Sequence, residues 1–575
     1  MGLRLIYGRA GTGKSEKCYK EISEKIKQNN KILIITPEQF SFTAEKKLME
    51  AIETEAVFNA EVVTFSRMAY RVIQEIGGRT ETNLSKCGKA MLIYSILNNC
   101  KKDLKFLGKT DENVDMAGTA ITEFKKHGIS VEQLKQETEK QSDIYLKNKL
   151  NDINMIYEKF QEQIAGKYID ETDLLTILAQ NVDKVPDFKD NLIYIDEFAG
   201  FTSQEYDIIQ KLVKIAKQVT ITICTDTIHE IKNADTDIFY SNQITINKLL
   251  QLASENDIKI EEVELEQTYR FKTPELKHLE QNLYNPKVKY FEQIPQNIKI
   301  FLAKNQYSEI EEVAKEIYKL VRDENYRYRD IAVITKNIDT YSSLARAIFD
   351  KYNIPIFIDE NRDLSQNILV QYVLSILEIF TKNWTEEAVL NYIKIGFSEI
   401  DEDDLFRLEK YCLKWGIKQN KWKKEFTYGN YEEKDKEEIA RLEEIRKQII
   451  EPLISLKNKL DENKTAEGIS RTIYNFLIEQ NIAKKIKQKQ EKLEEQGLID
   501  LSNEYQNSIQ TIIDILDEIV LVFKDDKITL DKYAQILKVG FKNSSLTKIP
   551  GTQDQVIMGD IDRSRSHKVK AIFII

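Results

Sequence analysis

The stretch that decides the fold is residues 8–15, "GRAGTGKS". Before it comes "LRLIY" at 3–7, a short apolar run that is typical of a buried parallel strand. After it comes "EKCYKEISEKI" at 16–26, whose apolar residues recur at helical spacing. Strand, glycine-rich loop and helix are the context that the G-x-x-x-x-G-K-[ST] pattern requires. The sequence therefore predicts a phosphate-binding P-loop in an α/β domain.

The residue types in this loop predict what it binds. Glycines let backbone N–H groups turn inward around phosphates, and the following helix N-terminus adds partial positive charge. Lys14 is predicted to reach the β- and γ-phosphates, and Ser15 to ligate Mg²⁺. We therefore expect ATP and Mg²⁺ as cofactors, with the nucleotide held by Gly8, Arg9, Ala10, Gly11, Thr12, Gly13, Lys14 and Ser15.

Two further segments supply candidate catalytic groups. The apolar run "LIYI" at 192–195 ends in Asp196 and Glu197. A carboxylate at a strand end can ligate Mg²⁺, so Asp196 is a predicted metal ligand beside Ser15, and the adjacent Glu197 can activate a water molecule. Arg270, in "LEQTYR" at 265–270, is predicted to reach the γ-phosphate from a facing domain. The alternative for Arg270 is a structural ion pair.

Composition narrows the class of protein. The length of 575 residues predicts three or four domains at ~150 residues each. A net charge of −10 argues against a surface coated with DNA-binding lysines but permits a local channel. The five cysteines are scattered, which fits free thiols in a reducing cytosol and no metal cluster in this stretch. With no run of about 18 apolar residues and no signal peptide, we expect a cytoplasmic protein without membrane contact.

Several motifs resemble those of UvrD-like superfamily-one helicases, and they occur in the same order. The motifs are "ILIITPEQFSFTAEKKL" (32–48), "EVVTFSRMAYRVI" (61–73), "LIYIDEF" (192–198), "LEQTYR" (265–270), "YRDIAVITKN" (328–337) and "SRSHKVKAIFII" (564–575). The residues of these motifs are most similar to those of the AddB family of bacterial helicase–nuclease subunits, and the chain is identified as a member of that family.

The resemblance implies a heterodimer with a catalytic helicase–nuclease partner, the A subunit, that resects double-strand breaks for recombination. Single-stranded and double-stranded DNA are the implied substrates. The family also carries a C-terminal nuclease domain with an iron–sulfur cluster. We expect this chain to be the N-terminal half of a longer protein, with that cluster only in the part beyond Ile575.

Departures from the helicase pattern concern the coupling of ATP to DNA. The helicase DEFQD motif reads "DEFAG" here, so Ala199 and Gly200 replace the Gln and Asp. No glutamine aligns with the next motif, where the chain has Thr225, Asp226 and Thr227. Phosphate binding is therefore predicted to be intact and translocation lost, as in a degenerate motor. The alternatives are an active translocase that relies on Glu197, and a P-loop kinase or signalling ATPase unrelated to DNA.

The predicted architecture is α/β, with two RecA-like P-loop NTPase domains that each carry a large helical insertion. The first domain is predicted from residues 1–75 and 186–284, with its insertion at 76–185. The second is predicted from residues 285–375 and 541–575, with its insertion at 376–540. Helical apolar spacing across both insertions is the basis of this division.

Five residues are predicted to contact DNA. Thr36, Thr64 and Phe65 follow strands at positions where helicases of this type touch a single strand, through hydroxyl–phosphate bonds and base stacking. Arg565 and His567 lie in the basic run "DRSRSHKVK". The alternatives are that Phe65 fills the core under a helix and that the basic run is a solvated loop.

Overall fold

The computed structural model of this chain describes most of its residues. The described ranges are 2–52, 59–107, 113–230, 237–285, 287–360, 362–364, 367–429, 433–496, 499–546, 554–561 and 569–575. Among these residues, none of the helices combines the length and apolarity needed to cross a bilayer.

The first part of the chain alternates strands and helices. Its elements are β1 (Gly2–Gly8), α1 (Lys14–Lys27), β2 (Ile32–Ile35), α2 (Ser41–Ile52), β3 (Ala60–Val63) and α3 (Phe65–Glu75). Alternate residues of a strand point to opposite faces of a sheet. Leu3 and Leu5 accordingly pack into one core, and Ile6 packs into a second core on the other face. Strands that are apolar on both faces are typical of a parallel sheet that is covered by helices on both sides.

A mainly helical segment follows. Its elements are β4 (Thr82–Asn83), α4 (Lys86–Cys100), α5 (Asn113–Lys126), α6 (Val131–Glu139), α7 (Ile144–Ile164), β5 (Tyr168–Ile169) and α8 (Glu171–Asn181). Helix α4 is buried along most of its length, including Met91 and Ile93. A helix that is apolar on every side belongs in the middle of a helical body.

The chain then returns to the first sheet. The elements are β6 (Leu192–Ile195), α9 (Ser203–Ile215), β7 (Gln218–Cys224), α10 (Tyr240–Glu255), β8 (Lys259–Glu264) and α11 (Pro274–Asn282). All six main strands are parallel, in the order β3-β2-β6-β7-β1-β8. The carboxyl ends of β1 and β6 therefore open at the same edge, where ligands bind in sheets of this kind.

A second, smaller sheet begins after this domain. The elements that follow are α12 (Gln306–Asp323), β9 (Ile331–Thr335), α13 (Ile338–Lys351), β10 (Ile356–Ile358) and β11 (Arg362–Asp363). A long helical segment comes next, with α14 (Ile368–Thr381), α15 (Glu386–Lys394), α16 (Glu402–Trp415), α17 (Glu433–Glu462), α18 (Ala466–Glu479), α19 (Ile482–Glu495), α20 (Ile499–Phe523), α21 (Leu530–Lys542) and β12 (Ser545–Leu546).

Strands β13 (Val556–Asp560) and β14 (Ala571–Ile574) complete the second sheet. Its four strands are parallel, in the order β10-β13-β9-β14, and α12 and α13 cover a core of their own. The mixed α/β class with parallel sheets and many helices is confirmed. The assignment of the two sheets to RecA-like domains, and the domain boundaries, stay predictions.

The two helical segments share one hydrophobic core. Buried side chains between residues 84–164 and between residues 364–541 form a single cluster. Polar contacts cross the same junction: Tyr168 Oη donates to Leu521 O at 2.6 Å, and the Lys542 and Asp115 side chains pair at 2.8 Å. The segments that were predicted as two separate insertions therefore pack as one helical body.

A buried ion network joins this helical body to the first sheet domain. Asp170 caps α8, and its Oδ2 accepts from Lys89 of α4 at 3.0 Å and from Lys125 of α5 at 2.9 Å. Burial alone would raise the pKa of Asp170, but the charges of Lys125 and Lys89 outweigh it and hold that pKa well below its usual range. Helix α8 itself packs into the core of the first sheet through Leu174 and Leu178.

Candidate nucleotide-binding site

The P-loop lies between β1 and α1, and its glycines have the backbone conformation that the loop requires. Gly11 and Gly13 have φ angles of 79° and 81°. Only glycine adopts this left-handed region at little cost. Gly13 is the residue immediately before α1, so the free N–H groups of the first helical turn point into the loop. The loop is therefore shaped for an anion at the helix N-terminus.

Lys14 is folded over the loop. Its Nζ donates to Gly8 O at 2.8 Å and to Arg9 O at 2.9 Å. Burial lowers the pKa of Lys14, and the nearby charges of Asp196 and Glu197 act in the opposite direction. The ammonium group thus stands where the loop would enclose a phosphate, bonded to carbonyl groups that it can exchange for phosphate oxygens.

Arg9 turns away from the loop centre. Its guanidinium bonds Glu280 of α11 through the carboxylate at 3.0 Å and through the backbone oxygen at 2.7 Å. The same group lies 5.0 Å from the centroid of the Phe239 ring. Of the residues predicted to hold nucleotide, Arg9 therefore offers its backbone to the ligand and its side chain to the protein.

Asp196 follows β6 and has the surroundings of a cation ligand. It is buried, its Oδ1 accepts from the Thr222 hydroxyl, and Ser15 faces the same carboxylate. Burial, followed by the charge of Glu197, raises the pKa of Asp196. Its Oδ2 is buried without a hydrogen-bond partner in the described structure. A buried carboxylate oxygen that lacks a partner beside Ser15 fits a Mg²⁺ ion with its nucleotide.

Glu197 is held in place by a cation from α2. Its Oε1 accepts from Lys47 Nζ at 3.0 Å, and both side chains are largely covered. The φ angle of Glu197 is 68°, which is unfavourable for a residue with a side chain. The carboxylate predicted to activate water is therefore engaged in an ion pair on a strained backbone.

Arg270 was expected to reach the nucleotide from a facing domain. It lies near the P-loop on the same sheet domain. It follows β8, which is an edge strand of the same sheet that carries β1. The backbone N–H groups of Tyr269 and Arg270 both donate to Gly11 O, at 2.8 and 3.3 Å. This segment leaves the sheet next to β1 and its backbone bonds the loop, so Arg270 stands on the P-loop domain, within the residues 186–284 predicted for it. Contact of its side chain with the γ-phosphate stays a prediction.

The predicted DNA contacts on the first sheet domain are buried. Thr36 lies at the end of β2, the Thr64 hydroxyl accepts from Arg67 N at 3.2 Å to cap α3, and Phe65 packs on Phe198 at 5.6 Å between ring centroids. This arrangement favours the alternative of core packing for Phe65, and DNA contact by the three stays a prediction. Arg565 and His567 lie outside the described residues.

Sequence reasoning missed two residues of this site. Lys47 sits on α2 and meets Glu197 only through the fold, because no local pattern joins residues so far apart in the chain. Tyr269 was overlooked beside Arg270, although its ring lies at the P-loop and is 65% exposed. The available signal in the sequence was its place directly before Arg270 in the motif "LEQTYR".

Replacing Gly11 with alanine is expected to weaken nucleotide binding at least tenfold, an effect worth about 1.4 kcal/mol or more. The new Cβ atom would stand 2.6 Å from the Arg270 Cβ, at a φ angle that disfavours any side chain. The matched change is Gly128→Ala, at φ 68° with open space around it, which should leave binding unaltered. Titration with a fluorescent ATP analogue measures both; equal affinity of the two variants would contradict the close contact.

The described residues hold no group of three or more His, Cys, Asp or Glu side chains that could bind a metal ion by themselves. The iron–sulfur cluster that the resemblance implies stays a prediction for the region of the family beyond this chain.

Comparison with known proteins points to one family. A sequence model described as "ADDB, N-terminal" matches residues 5–280, the stretch that builds the P-loop and the first sheet. The B subunit of the ATP-dependent helicase/deoxyribonuclease of Clostridium novyi (strain NT) is 37% identical over 585 residues, which cover 100% of this chain and 51% of that protein. The protein of the same name from Clostridium tetani (strain Massachusetts / E88) is 39% identical over 599 residues, which cover 100% and 52%.

The similarity therefore extends along the whole chain, through both sheets and the helical body. The chain spans about half the length of the curated relatives that it matches. The helicase-like motifs, the phosphate loop and the full-chain identity agree with one another. The chain belongs to the AddB family and corresponds to the N-terminal region of its members.

Proposed function

We propose that this chain is the ATP-binding, helicase-like part of a heterodimeric helicase–nuclease that resects double-strand breaks for recombinational repair. In this proposal its partner is the A subunit, a catalytic helicase–nuclease, and the chain guides single-stranded DNA taken from duplex ends. The names of its relatives and the intact P-loop support the assignment. We propose that the protein acts in the cytoplasm, because its five cysteines are free in the structure and the cytoplasm keeps thiols reduced.

ATP would be held by the P-loop backbone and Lys14, with Ser15 and Asp196 holding Mg²⁺. The buried, unpartnered Oδ2 of Asp196 is the observation that supports this fit. Bound Mg²⁺ would neutralise phosphate charge. The exposed ring of Tyr269, beside Gly13, offers a flat aromatic face for the adenine base.

We further propose that the site binds ATP without driving translocation. The single observation that carries this reading is the ion pair between Lys47 and Glu197, which holds one oxygen of the carboxylate that would accept a proton from water. Ala199 and Gly200 add to it, because a methyl group and a bare backbone offer no polar side-chain atom that could relay nucleotide state to DNA. The presence of Asp196 and Glu197 keeps an active translocase as a second candidate, whereas no contact among the described residues favours a small-molecule kinase.

The test is Mg²⁺-ATP turnover by the chain with and without single-stranded DNA, with nucleotide binding titrated on the same sample. We expect saturable binding and a turnover rate that DNA does not raise. Lys14→Ala serves as the control for contaminating ATPases, because it removes the site and leaves any contaminant. Turnover that rises several-fold with DNA and disappears in Lys14→Ala would establish the active translocase instead.

A further inference from the structure

A strongly basic segment lies far from the nucleotide site along the chain, from the last two residues of α16 into the connection towards α17. Residues 414–429 read "KWGIKQNKWKKEFTYG" and are called the basic loop here. Its five lysines are opposed within the segment only by Glu425, whereas the whole chain carries a net charge of −10. Such a local excess of positive charge on an acidic protein marks a surface for an anionic partner.

The lysines of the basic loop make no ion pair with any acidic residue that the structure describes. Three of them lie over aromatic rings instead: Lys414 is 5.1 Å from the Trp415 centroid, Lys421 is 5.1 Å from that of Tyr428, and Lys423 is 5.3 Å from that of Trp384. A ring face carries no net charge, so these contacts leave the lysine charges unneutralised, although the Lys421 ammonium also donates to Trp415 O at 3.0 Å. Lys418 and Lys424 are exposed to solvent.

The basic loop is fixed to the helical body. Trp422 is fully buried, and its backbone oxygen accepts from Arg446 of α17 at 3.0 Å. Phe426 is also buried and donates its backbone N–H to Glu443 at 3.0 Å. Gly416 ends α16 in the left-handed conformation. The lysines are therefore displayed from an ordered scaffold, which lowers the entropy cost of binding.

The aromatic rings at the surface are already engaged. Trp415 and Tyr428 stack on each other with their centroids 5.7 Å apart and an angle of 18° between ring planes. Each of the two also carries one of the lysines named above. Single-strand binding sites rely on free ring faces on which bases stack. The basic loop instead offers lysine ammonium groups, which contact phosphates.

We propose that the basic loop binds the phosphate backbone of duplex DNA. A duplex presents one negative charge per about 1.7 Å of its axis, the densest regular array of phosphates in DNA. Lysines that are held on an ordered scaffold, beside rings that are already stacked, suit this array better than they suit a flexible single strand. The inference rests on the proposed function for its choice of nucleic acid, and it adds a duplex contact on the helical body.

The experiment measures binding of a fluorescent hairpin duplex and, separately, of a fluorescent oligothymidine strand to the chain by anisotropy across a salt series. The variant Lys418→Gln/Lys423→Gln/Lys424→Gln should weaken binding about 10- to 100-fold at about 0.1 M salt and make the log–log salt dependence shallower by about 2 to 3. The control Lys20→Gln/Lys25→Gln/Lys27→Gln removes three exposed lysines from α1 and should bind as the wild type does. Circular dichroism and thermal melting verify that both variants fold.

The outcomes separate this inference from the proposed function. Unchanged duplex affinity and salt dependence in the basic-loop variant would overturn the inference while leaving DNA processing in place. Loss of binding to an oligothymidine strand with the duplex unaffected would also overturn it, because the loop would then serve single strands. Wild-type chain that binds neither DNA would contradict both proposals.

Discussion

Replacing Lys14 with alanine should lower Mg²⁺-ATP affinity by about 100- to 1,000-fold. Its Nζ stands within the loop, 2.8 and 2.9 Å from two carbonyl oxygens that phosphate oxygens would replace. Two charged hydrogen bonds of about 1.5 to 2 kcal/mol each account for a loss of this size. Isothermal titration calorimetry with a non-hydrolysable ATP analogue measures the affinity directly.

The matched control is Lys17→Ala, one turn further along the same helix. Lys17 pairs with Glu21 at 3.3 Å and does not take part in the loop. Its removal should change nucleotide affinity by less than about threefold, because it deletes a lysine from α1 without touching the phosphate site. If Lys14→Ala bound ATP as tightly as Lys17→Ala, nucleotide would have to bind elsewhere.

Replacing Asp170 with alanine should destabilise the chain by about 3 to 5 kcal/mol. The carboxylate lies between two lysines that are almost fully covered, Lys89 and Lys125. Removing one partner of a buried charge network leaves the opposite charges uncompensated, and this costs more than the network contributes as a whole. The midpoint of urea unfolding, followed by circular dichroism, measures the change.

A surface aspartate gives the comparison for Asp170. Asp183 pairs with Lys211 at 3.0 Å near solvent, so Asp183→Ala should cost under about 1 kcal/mol. The contribution of Asp170 to stability also depends on pH, in a direction that its pKa determines. Because the pKa of Asp170 is lowered in the folded state, its contribution is complete above the unfolded value of about 3.9 and declines as pH falls below it. Equal costs for the two variants would argue against a buried network.

The nucleotide site could be predicted from sequence where its chemistry is local. The strand, loop and helix around Gly11, Gly13 and Lys14 form one contiguous pattern, and the conformation of each residue follows from its neighbours. Asp196 could be placed because an apolar strand that ends in a carboxylate delivers it to the ligand-binding edge of a parallel sheet.

The remainder depended on packing between distant segments. Lys47 lies within α2 and Glu197 follows β6, and no sequence pattern relates two residues that are so far apart in the chain. The closeness of Arg270 to the loop could not be predicted, because the position of β8 beside β1 in the sheet cannot be deduced from strand order along the chain. The burial of Phe65 against Phe198 likewise follows from the contact of two distant segments, and periodicity within either segment carries no record of it.

The single core shared by both helical segments has a consequence for synthesis on the ribosome. Helix α4 packs against α20 and α21, which are translated roughly 430 residues later. At about 5 to 20 residues per second, that interval lasts on the order of 20 to 90 seconds. During this interval the apolar side chains of α4 that pack against α20 and α21 have no partner. We therefore expect nascent chains to need chaperone protection until α21 has emerged.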